Sequence, residues 1–443
     1  MLDIKPMFLC NGVKIVEGYR NAAIYDFNKK KVFLVSKNVA HAILENKSLD
    51  LICDSIIQQM LEYELIISYD KGKELNPEKY EYTLFDDCYT DKHCTLLYIE
   101  VTDKCNFHCV HCYAEMKTGG CRELSIEQFK SIISNIQPDG NCDIRLTGGE
   151  PFLHSNIRRF IDLVKESIRP NSTHSIVTNG SFKSEDALYA MENGFEVQIS
   201  IYGMNPDVFK EFTDVSDKYW EIVQNNLDVL SKSPNKDKVL LCFAVNALTY
   251  SQISKFEKYA KKHGFRYIFN RPASTGRAVH NWKMLEMPPE KHFEFSRNTK
   301  ATALRCCYHL CQLHLCVVGV EGNVFPCPFL RDESLVMGNV FKCSLKKIWQ
   351  SSEYQKFRKL NPTNVEKCNK CEFIYMCTAG CCAEAFGMTG NILSVYPWCK
   401  VKPYEYDYLC IRDDEMYFVD KLAAGTFDFI KVQTIMQIRD ILI

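Results

Sequence analysis

The chain has no uninterrupted apolar run of 18 residues, so no membrane-crossing helix is expected. It has no basic start leading into an apolar stretch, so no secretory signal is expected. It has no excess of charge of either sign: 54 Lys and Arg stand against 55 Asp and Glu, a formal net charge of -1. That balance supplies no global attraction to nucleic acid or to an anionic membrane. No fixed-period repeat and no long low-complexity tract is present. A cytoplasmic protein with neither nucleic acid nor membrane as partner is expected. What the chain has in abundance is cysteine, 23 in 443 residues. Disulfides are rare in a reducing compartment, so clustered cysteines point to metal binding. Scattered ones (Cys53, Cys142, Cys242, Cys410) read as small buried hydrophobes.

Hydrophobic residues are 46% and charged residues 25%, ordinary for a globular chain long enough for two or three domains. Four parts are expected. Residues 1–92 hold short apolar segments at Val13–Val16, Ala22–Phe27 and Val32–Val35, a helical pattern through Ile56, Ile57, Met60 and Leu61, and a polar linker over Asp70–Asp91. Residues 93–290 alternate strands with helices. The strands are Leu96–Val101, Asp143–Leu146, His174–Thr178, Val197–Ile201, Val239–Val245 and Tyr267–Asn270; Ser125–Ile136, Asn156–Ser167, Tyr219–Ser231 and Ser251–His263 carry helical patterns. That alternation implies a parallel sheet or barrel with its site at the carboxyl ends of the strands. Residues 291–402 are cysteine-dense. Residues 403–443 form a tail whose apolar Ile430, Ile435, Ile438, Ile441 and Leu442 suggest a docked helix or strand.

After the first strand stands Cys105-x3-Cys109-x2-Cys112, with Tyr113 next. Three thiolates on one tight loop can hold three irons of a cubane. No fourth cysteine follows at ferredoxin spacing, since Cys121 is nine residues on. One iron is left open, the mark of a catalytic metal site. Zinc held with His108 or His111 is the alternative. Thr147-Gly148-Gly149-Glu150-Pro151 follows the second strand, Thr178-Asn179-Gly180 the third, and Ser200 closes the fourth. All lie on the expected rim. Glycines let a backbone approach a ligand closely, and a carboxylate can accept from an ammonium.

The cysteine motif together with Gly148-Gly149-Glu150-Pro151 resembles the radical S-adenosylmethionine (radical SAM) superfamily. The resemblance implies a partial (β/α)6 barrel. It implies a 4Fe–4S cluster on Cys105, Cys109 and Cys112 that cleaves S-adenosylmethionine to methionine and a hydrogen-abstracting 5′-deoxyadenosyl radical. Gly148, Gly149, Glu150, Asn179 and Ser200 are then cofactor contacts. An arginine that often follows the serine strand in the family is missing between Tyr202 and Lys218.

Further on, Cys368-x2-Cys371-x5-Cys377-x3-Cys381 is followed by Cys399, and upstream stand Cys311 and Gly322-x4-Cys327. This pattern resembles the SPASM domain, the cysteine-rich extension of radical enzymes that act on peptides. The resemblance implies two auxiliary 4Fe–4S clusters, three in all. One is assigned to Cys306, Cys311, Cys327 and Cys381, the adjacent Cys307 being the rival of Cys306; the other is assigned to Cys368, Cys371, Cys377 and Cys399. Cys316 lies in an apolar strand-like run, Leu315–Val320, and reads as packing. The short strands and helix of residues 1–92 resemble, loosely, the small winged-helix module by which peptide maturases hold a precursor leader. Addition of a leader strand to an exposed sheet edge is the mode this implies. Phe8–Gly18 and Ile24–Asp26 also resemble the starts of maturases paired with ATP-grasp ligases.

The expected fold is therefore α/β: a partial (β/α)6 radical SAM barrel between an N-terminal winged-helix-like α+β domain and a C-terminal SPASM domain. The expected activity is radical modification of a ribosomally made precursor peptide, with a thioether first among the bonds and carbon–carbon or carbon–oxygen crosslinks next. An electron donor such as flavodoxin or ferredoxin is implied. Two alternatives stand. An anaerobic sulfatase-maturing enzyme usually has aspartate after the cysteine matching Cys327, where this chain has Pro328. A non-catalytic iron–sulfur scaffold has no use for an intact Cys105, Cys109, Cys112 and Glu150. The segment Asn270–Ala278, with Arg271 and Arg277, either positions an acidic group or is a surface loop.

Overall fold

The computed structural model describes residues 7–29, 31–45, 52–68, 94–116, 120–134, 142–167, 172–287, 315–377, 379–397, 399 and 411–418. The polar stretch 70–91, Cys306, Cys307, Cys311, Cys410 and the apolar tail residues from Ile430 onward lie outside these.

The N-terminal segment begins with β1 (Met7–Leu9), then an antiparallel meander of β2 (Val13–Glu17), β3 (Asn21–Asp26) and β4 (Lys31–Ser36). Helices α1 (Lys37–Leu44) and α2 (Asp54–Glu62) follow, and β5 (Ile66–Ser68) returns to pair with β1. The Ser36 hydroxyl starts α1 by accepting the Val39 N–H at 3.3 Å, which satisfies one orphan donor of the first turn. Side chains alternate along β3. Ala22 and Ile24 join the core of Phe33, Val35, Val39, Ile43, Ile56 and Met60, while Tyr25 faces the other way. The C-terminal strand β15 (Met416–Phe418) pairs antiparallel with β4, so the sheet order is β15-β4-β3-β2. The apolar residues on which docking of the tail is expected, Ile430 to Leu442, lie outside the described residues; this strand precedes them. Its pairing means that the β4 edge is occupied rather than exposed. Cys53 is exposed at the start of α2, not buried, because its sulfur sits at a helix terminus 3.0 Å from the Ser55 hydroxyl.

Six parallel strands follow: β6 (Leu96–Thr102), β7 (Asp143–Gly148), β8 (His174–Thr178), β9 (Glu196–Ile201), β10 (Val239–Ala244) and β11 (Arg266–Asn270). They lie side by side in chain order, with α3 (Ile126–Ser134), α4 (Ile157–Ser167), α5 (Ser184–Glu192), α6 (Pro206–Thr213), α7 (Asp217–Ser231) and α8 (Ile253–His263) as crossovers. This is the expected partial (β/α)6 barrel, and each expected strand coincides within two residues. The helices bury apolar faces against the sheet; Phe129 of α3 stacks on Phe160 of α4 at 4.1 Å, both fully buried. A buried aromatic of this kind contributes about 1.5–3 kcal/mol.

Beyond β6 the sheet continues. β12 (Leu315–Val318) adds in parallel, and β13 (Asn323–Phe325) and β14 (Gly338–Asn339) add antiparallel. The cysteine-rich region is thus joined to the barrel strand for strand, through a run whose Cys316 is fully buried. Its own helices, Leu345–Trp349, Ser352–Arg358, Ile374–Cys377 and Cys382–Thr389, are short. Phe357 of the second and Cys382 and Ala383 of the fourth pack with Leu330, Val365 and Ala379 around a small core, while Leu345, Ile348 and Trp349 of the first join the barrel core.

Candidate functional site

The Cys105–Cys112 loop leaves β6 at the carboxyl rim, and three other rim segments hold its backbone. From β7, Gly149 N–H donates to Thr102 O at 2.9 Å and Glu150 N–H to Lys104 O at 2.7 Å. A Cβ on Gly149 would stand 2.1 Å from Lys104 O and 2.9 Å from Cys105 Cβ, and one on Gly148 would stand 2.3 Å from Thr102 O. The close approach these glycines permit is to the cysteine loop itself. From the end of α6, the carbonyls of Phe212 and Thr213 accept from Val110 and His108, each at 3.0 Å. From the segment after β11, Arg277 Nε donates to Cys109 O at 3.0 Å and its Nη1 to Met116 O at 2.8 Å. Its backbone N–H meets Cys112 O at 3.1 Å, and Asn281 Nδ2 meets Val110 O at 2.9 Å. Neither expectation for this segment describes Arg277: it is a clamp on the cysteine loop.

Three thiols converge here in a poor solvent for thiolate. Burial pushes Cys105 up to about 12, opposed by a hydrogen bond from the Phe107 backbone and aided by Glu150 and Cys112. Burial raises Cys109 as well, with Cys112 and Cys105 adding repulsion. Such thiols ionise when a cation replaces their protons. Among the described residues no three His, Cys, Asp or Glu side chains close around one ion. A cubane does not ask for that, because its three thiolates bind three different irons. The donor set fits a cluster, and the histidines look elsewhere. His108 lies 3.4 Å from Asp214, and His111 packs against Phe212 and Tyr202. Burial, with the Arg277 charge nearby, presses His111 down to about 3, so its ring is neutral.

The residues expected to meet the cofactor are themselves tied to the loop's supports. Glu150 is fully buried: Oε1 accepts from Phe152 N–H at 3.1 Å and the Thr178 hydroxyl at 2.7 Å, and Oε2 from Asn179 N–H at 2.7 Å. Burial raises it to about 7, opposed by those donors. Asn179 Nδ2 donates to Asn106 Oδ1 at 3.0 Å, inside the cysteine loop, while its Oδ1 accepts from Ser181. Ser200 lies close to the Tyr202 hydroxyl and opposes the rise that burial gives it.

Of the expected auxiliary ligands, Cys327, Cys368 and Cys381 gather in the small core of the cysteine-rich region. Cys377 ends its helix, and Cys399 N–H donates to Tyr396 O at 3.0 Å. Cys368 and Cys371 lie close enough to Tyr19 to raise its hydroxyl, after burial. The N-terminal sheet rests on this segment. Tyr19 N–H donates to Glu372 Oε2 at 3.3 Å, its hydroxyl to Lys367 O at 3.2 Å, and the Tyr25 hydroxyl to Glu372 O. Tyr25 and Tyr375 meet edge to face at 5.0 Å. On the barrel side, Arg271 Nη2 reaches Glu384 Oε1 at 2.6 Å and the Tyr396 hydroxyl at 2.7 Å, and the Ser274 hydroxyl donates to Glu384 Oε2 at 3.1 Å. Sequence reasoning missed Glu372 and Glu384; an acidic residue within three positions of a motif cysteine was the available signal.

A cavity of about 330 Å³ opens between the cysteine loop, the segment after β11 and the cysteine-rich region, lined by Tyr113, Glu115, Thr275, His280, Phe329 and Arg331 among others. Thr275 Oγ1 and Arg331 Nη1 are buried there without a protein partner. Arg331 is also ion-paired to the fully buried Glu100. Aromatic walls from Tyr113 and Phe329 meet the polar Glu115, Thr275, His280 and Arg331 there, and a cleft where polar groups converge is a usual place for a substrate.

Comparison with known proteins agrees with this architecture. Residues 99–260 match the radical SAM superfamily, and residues 306–372 match SPASM, an iron–sulfur cluster-binding domain. The mycofactocin maturase MftC of Mycolicibacterium smegmatis is 25% identical over 312 residues, 65% of this chain and 78% of that protein. An AdoMet-dependent heme synthase of Oleidesulfovibrio alaskensis is 25% identical over 361 residues, 70% of this chain and 88% of that one. Among solved structures, native anSMEcpe with bound AdoMet superposes with a TM-score of 0.55 at 19% identity, over 68% of this chain and 93% of that one. Streptococcus suis SuiB bound to precursor peptide SuiA superposes at 0.51 with 12% identity, over 88% of this chain and 98% of that one. The rim loop with its three thiols and the six-stranded parallel barrel are thus a radical SAM domain, the appended cysteine-rich region is a SPASM domain, and the chain is a radical SAM enzyme.

Proposed function

We propose that this enzyme modifies a ribosomally made precursor peptide, with a thioether from a cysteine sulfur as the first bond to look for. The observation that carries the reading is the seat of the N-terminal sheet on Lys367–Tyr375, between auxiliary cysteines. A sheet that can add an extended peptide then stands beside the cysteine-rich region. With the β4 edge taken by β15, the terminal strand on the other side is β2, whose Lys14 ammonium lies 5.3 Å from the Tyr375 ring centroid. The likeness to SuiB, which spans most of both chains, and to a maturase by sequence, supports the same reading.

A 4Fe–4S cluster on Cys105, Cys109 and Cys112, reduced by a donor such as flavodoxin or ferredoxin, supplies reductive cleavage of S-adenosylmethionine and hydrogen abstraction. Glu150 and Asn179 hold the loop, Arg277 clamps its carbonyls, and Gly148, Gly149 and Ser200 border the cofactor. Thr275 and Arg331 present donors to the peptide in the cavity beside Tyr113. Auxiliary clusters on Cys306, Cys311, Cys327 and Cys381 and on Cys368, Cys371, Cys377 and Cys399 complete the set. Thiolate is a soft ligand suited to such irons, which is why a cysteine-containing peptide is favoured. An ATP-grasp ligase is the expected neighbour.

Iron-reconstituted protein should carry about 12 irons, as three cubanes require. With dithionite and S-adenosylmethionine it should release 5′-deoxyadenosine. Changing Cys105, Cys109 and Cys112 together to Ala should abolish that release and leave about 8 irons. A precursor peptide encoded beside the gene should emerge lighter by two hydrogens, with the link mapped to a cysteine. Release of 5′-deoxyadenosine with conversion of a porphyrin, and none of any peptide, would overturn the peptide reading while keeping the radical one.

A further inference from the structure

Three cysteines outside every expected ligand set meet at the foot of the barrel, the end opposite the cluster loop. Cys94 precedes β6, Cys142 precedes β7 and Cys316 lies in β12. They are 7%, 4% and 0% exposed. The sulfur of Cys316 stands 3.4 Å from that of Cys94, and Cys142 lies close enough to Cys94 for each to perturb the other's thiol. Cys94 therefore lies between a thiol of β12 and one just before β7, and it stands two residues ahead of β6.

The surroundings select among the things three thiols can do. They lie within the main apolar core, with Leu97, Ile144 and Val318 in the same cluster. Three thiolates around a divalent cation would leave one net negative charge in the apolar core with no further counter-charge, which is costly. Among the described residues the three are not closed around one ion. A disulfide is neutral before and after it forms.

We propose that Cys94 and Cys316 are a reversible oxidation site, with Cys142 as the exchanging thiol. With hydrogen peroxide as oxidant the two S–H bonds and the O–O bond break and one S–S bond forms. The thiols lose two electrons, the peroxide gains them, and the two protons leave in two molecules of water. The sulfurs close from 3.4 Å to a bonded separation of about 2.0 Å. Cys142 can then attack the Cys94 sulfur while its own proton passes to the departing Cys316 sulfur, which moves the link from β12 to the start of β7 and leaves no charge in the core. The first link staples the seam between barrel and cysteine-rich region, where Leu96 pairs with Leu315 and Leu97 with Cys316. It ties together positions 222 residues apart. It also fixes the strand that leads into Cys105 against the strand that leads toward Cys327.

The full iron-loaded chain is treated with hydrogen peroxide, its free thiols are alkylated in denaturant, and the digest is mapped by mass spectrometry. A peptide pair joined through Cys94 and Cys316, lighter by two hydrogens and separated again by dithiothreitol, is expected. In Cys316→Ser the link should move to Cys94 and Cys142, and in Cys94→Ser neither link should form. The wild-type map decides alone if a variant fails to fold. Recovery of all three cysteines as alkylated thiols, or as irreversible sulfonic acids, overturns the proposal. So does a zinc ion retained in wild type and lost in Cys94→Ser.

Discussion

The Nε of Arg277 donates to the carbonyl oxygen of Cys109 at 3.0 Å across 168 positions of sequence, while Nη1 of the same guanidinium reaches Met116 O. One planar group therefore holds the loop on both sides of Cys112. A lysine can supply charge but not two donors in a fixed fork. Arg277→Lys should lower 5′-deoxyadenosine release at least about tenfold, an effect of about 1.4 kcal/mol or more on the barrier. Iron should fall by about 4 per chain, as loss of one cubane implies. Iron analysis beside the cleavage assay checks this, and full iron with full activity would show that the clamp is dispensable.

The glycines of the clasp can be ranked against one another. Gly276 has φ +54, and a Cβ there would stand 2.5 Å from the carbonyl oxygens of both Cys112 and Tyr113. Gly194 has φ +92 but open space around a new Cβ. Alanine at either position pays a left-handed backbone cost of about 1–2 kcal/mol. Only Gly276→Ala also forces the cysteine loop to move. Thermal unfolding should show both variants destabilised, with Gly194→Ala keeping all its iron and Gly276→Ala losing the rim cluster. Equal iron in both would mean that the loop can yield.

Glu384 ties the cysteine-rich region to the barrel. Its side chain is 4% exposed, and it takes Arg271 on one oxygen and the Ser274 hydroxyl on the other. Breaking a buried pair by removing one partner costs about 3–5 kcal/mol, because the other charge is left in place. Glu384→Ala should therefore be worse than Glu384→Ala combined with Arg271→Met, which removes the orphan charge. Denaturant midpoints for the three proteins test this order. A double variant no more stable than the single one would mean that Arg271 finds water or another partner.

What could be read in the chain and what could not divides along sequence distance. His174–Thr178 was legible as a strand because its apolar run is bounded by polar turns, and the whole barrel follows from repetition of that local signal. Cys105, Cys109 and Cys112 were legible because they sit within eight positions. Arg277, Glu372 and Glu384 act on partners more than 100 positions away; Glu372 and Glu384 carry one local mark, a motif cysteine within three positions, but it does not name the partner, and Arg277 carries none. Gly149 was rightly expected to permit a close approach. Its partner, Lys104 O, could be known only once β6 and β7 were paired. The pairing of β4 with β15 is of the same kind, a contact across more than 370 residues that no local pattern announces.

His154 makes the rim sensitive to acid. Its Nδ1 accepts the Asn156 N–H at 2.9 Å, so its Nε2 carries the proton and donates to Leu124 O at 3.0 Å, and the ring packs on Phe160 at 4.5 Å. The neutral ring uses both nitrogens, and a second proton would face the Asn156 N–H. Burial holds its pKa below the ordinary 6.5, opposed by the Leu124 carbonyl and by Glu123. In the window just below 6.5 the unfolded chain therefore binds more protons than the folded one. Stability then rises with pH through that window, is complete above it, and is lost as pH falls toward the native value. His154→Phe removes two hydrogen bonds and should melt lower than wild type at pH 7.5, by about 1–3 kcal/mol in free energy. The gap should narrow as the pH falls to about 5, because only wild type pays for protonation there. Melting curves of both proteins across that range provide the check, and a gap that stays constant would show that His154 keeps the same charge in the folded and unfolded chain.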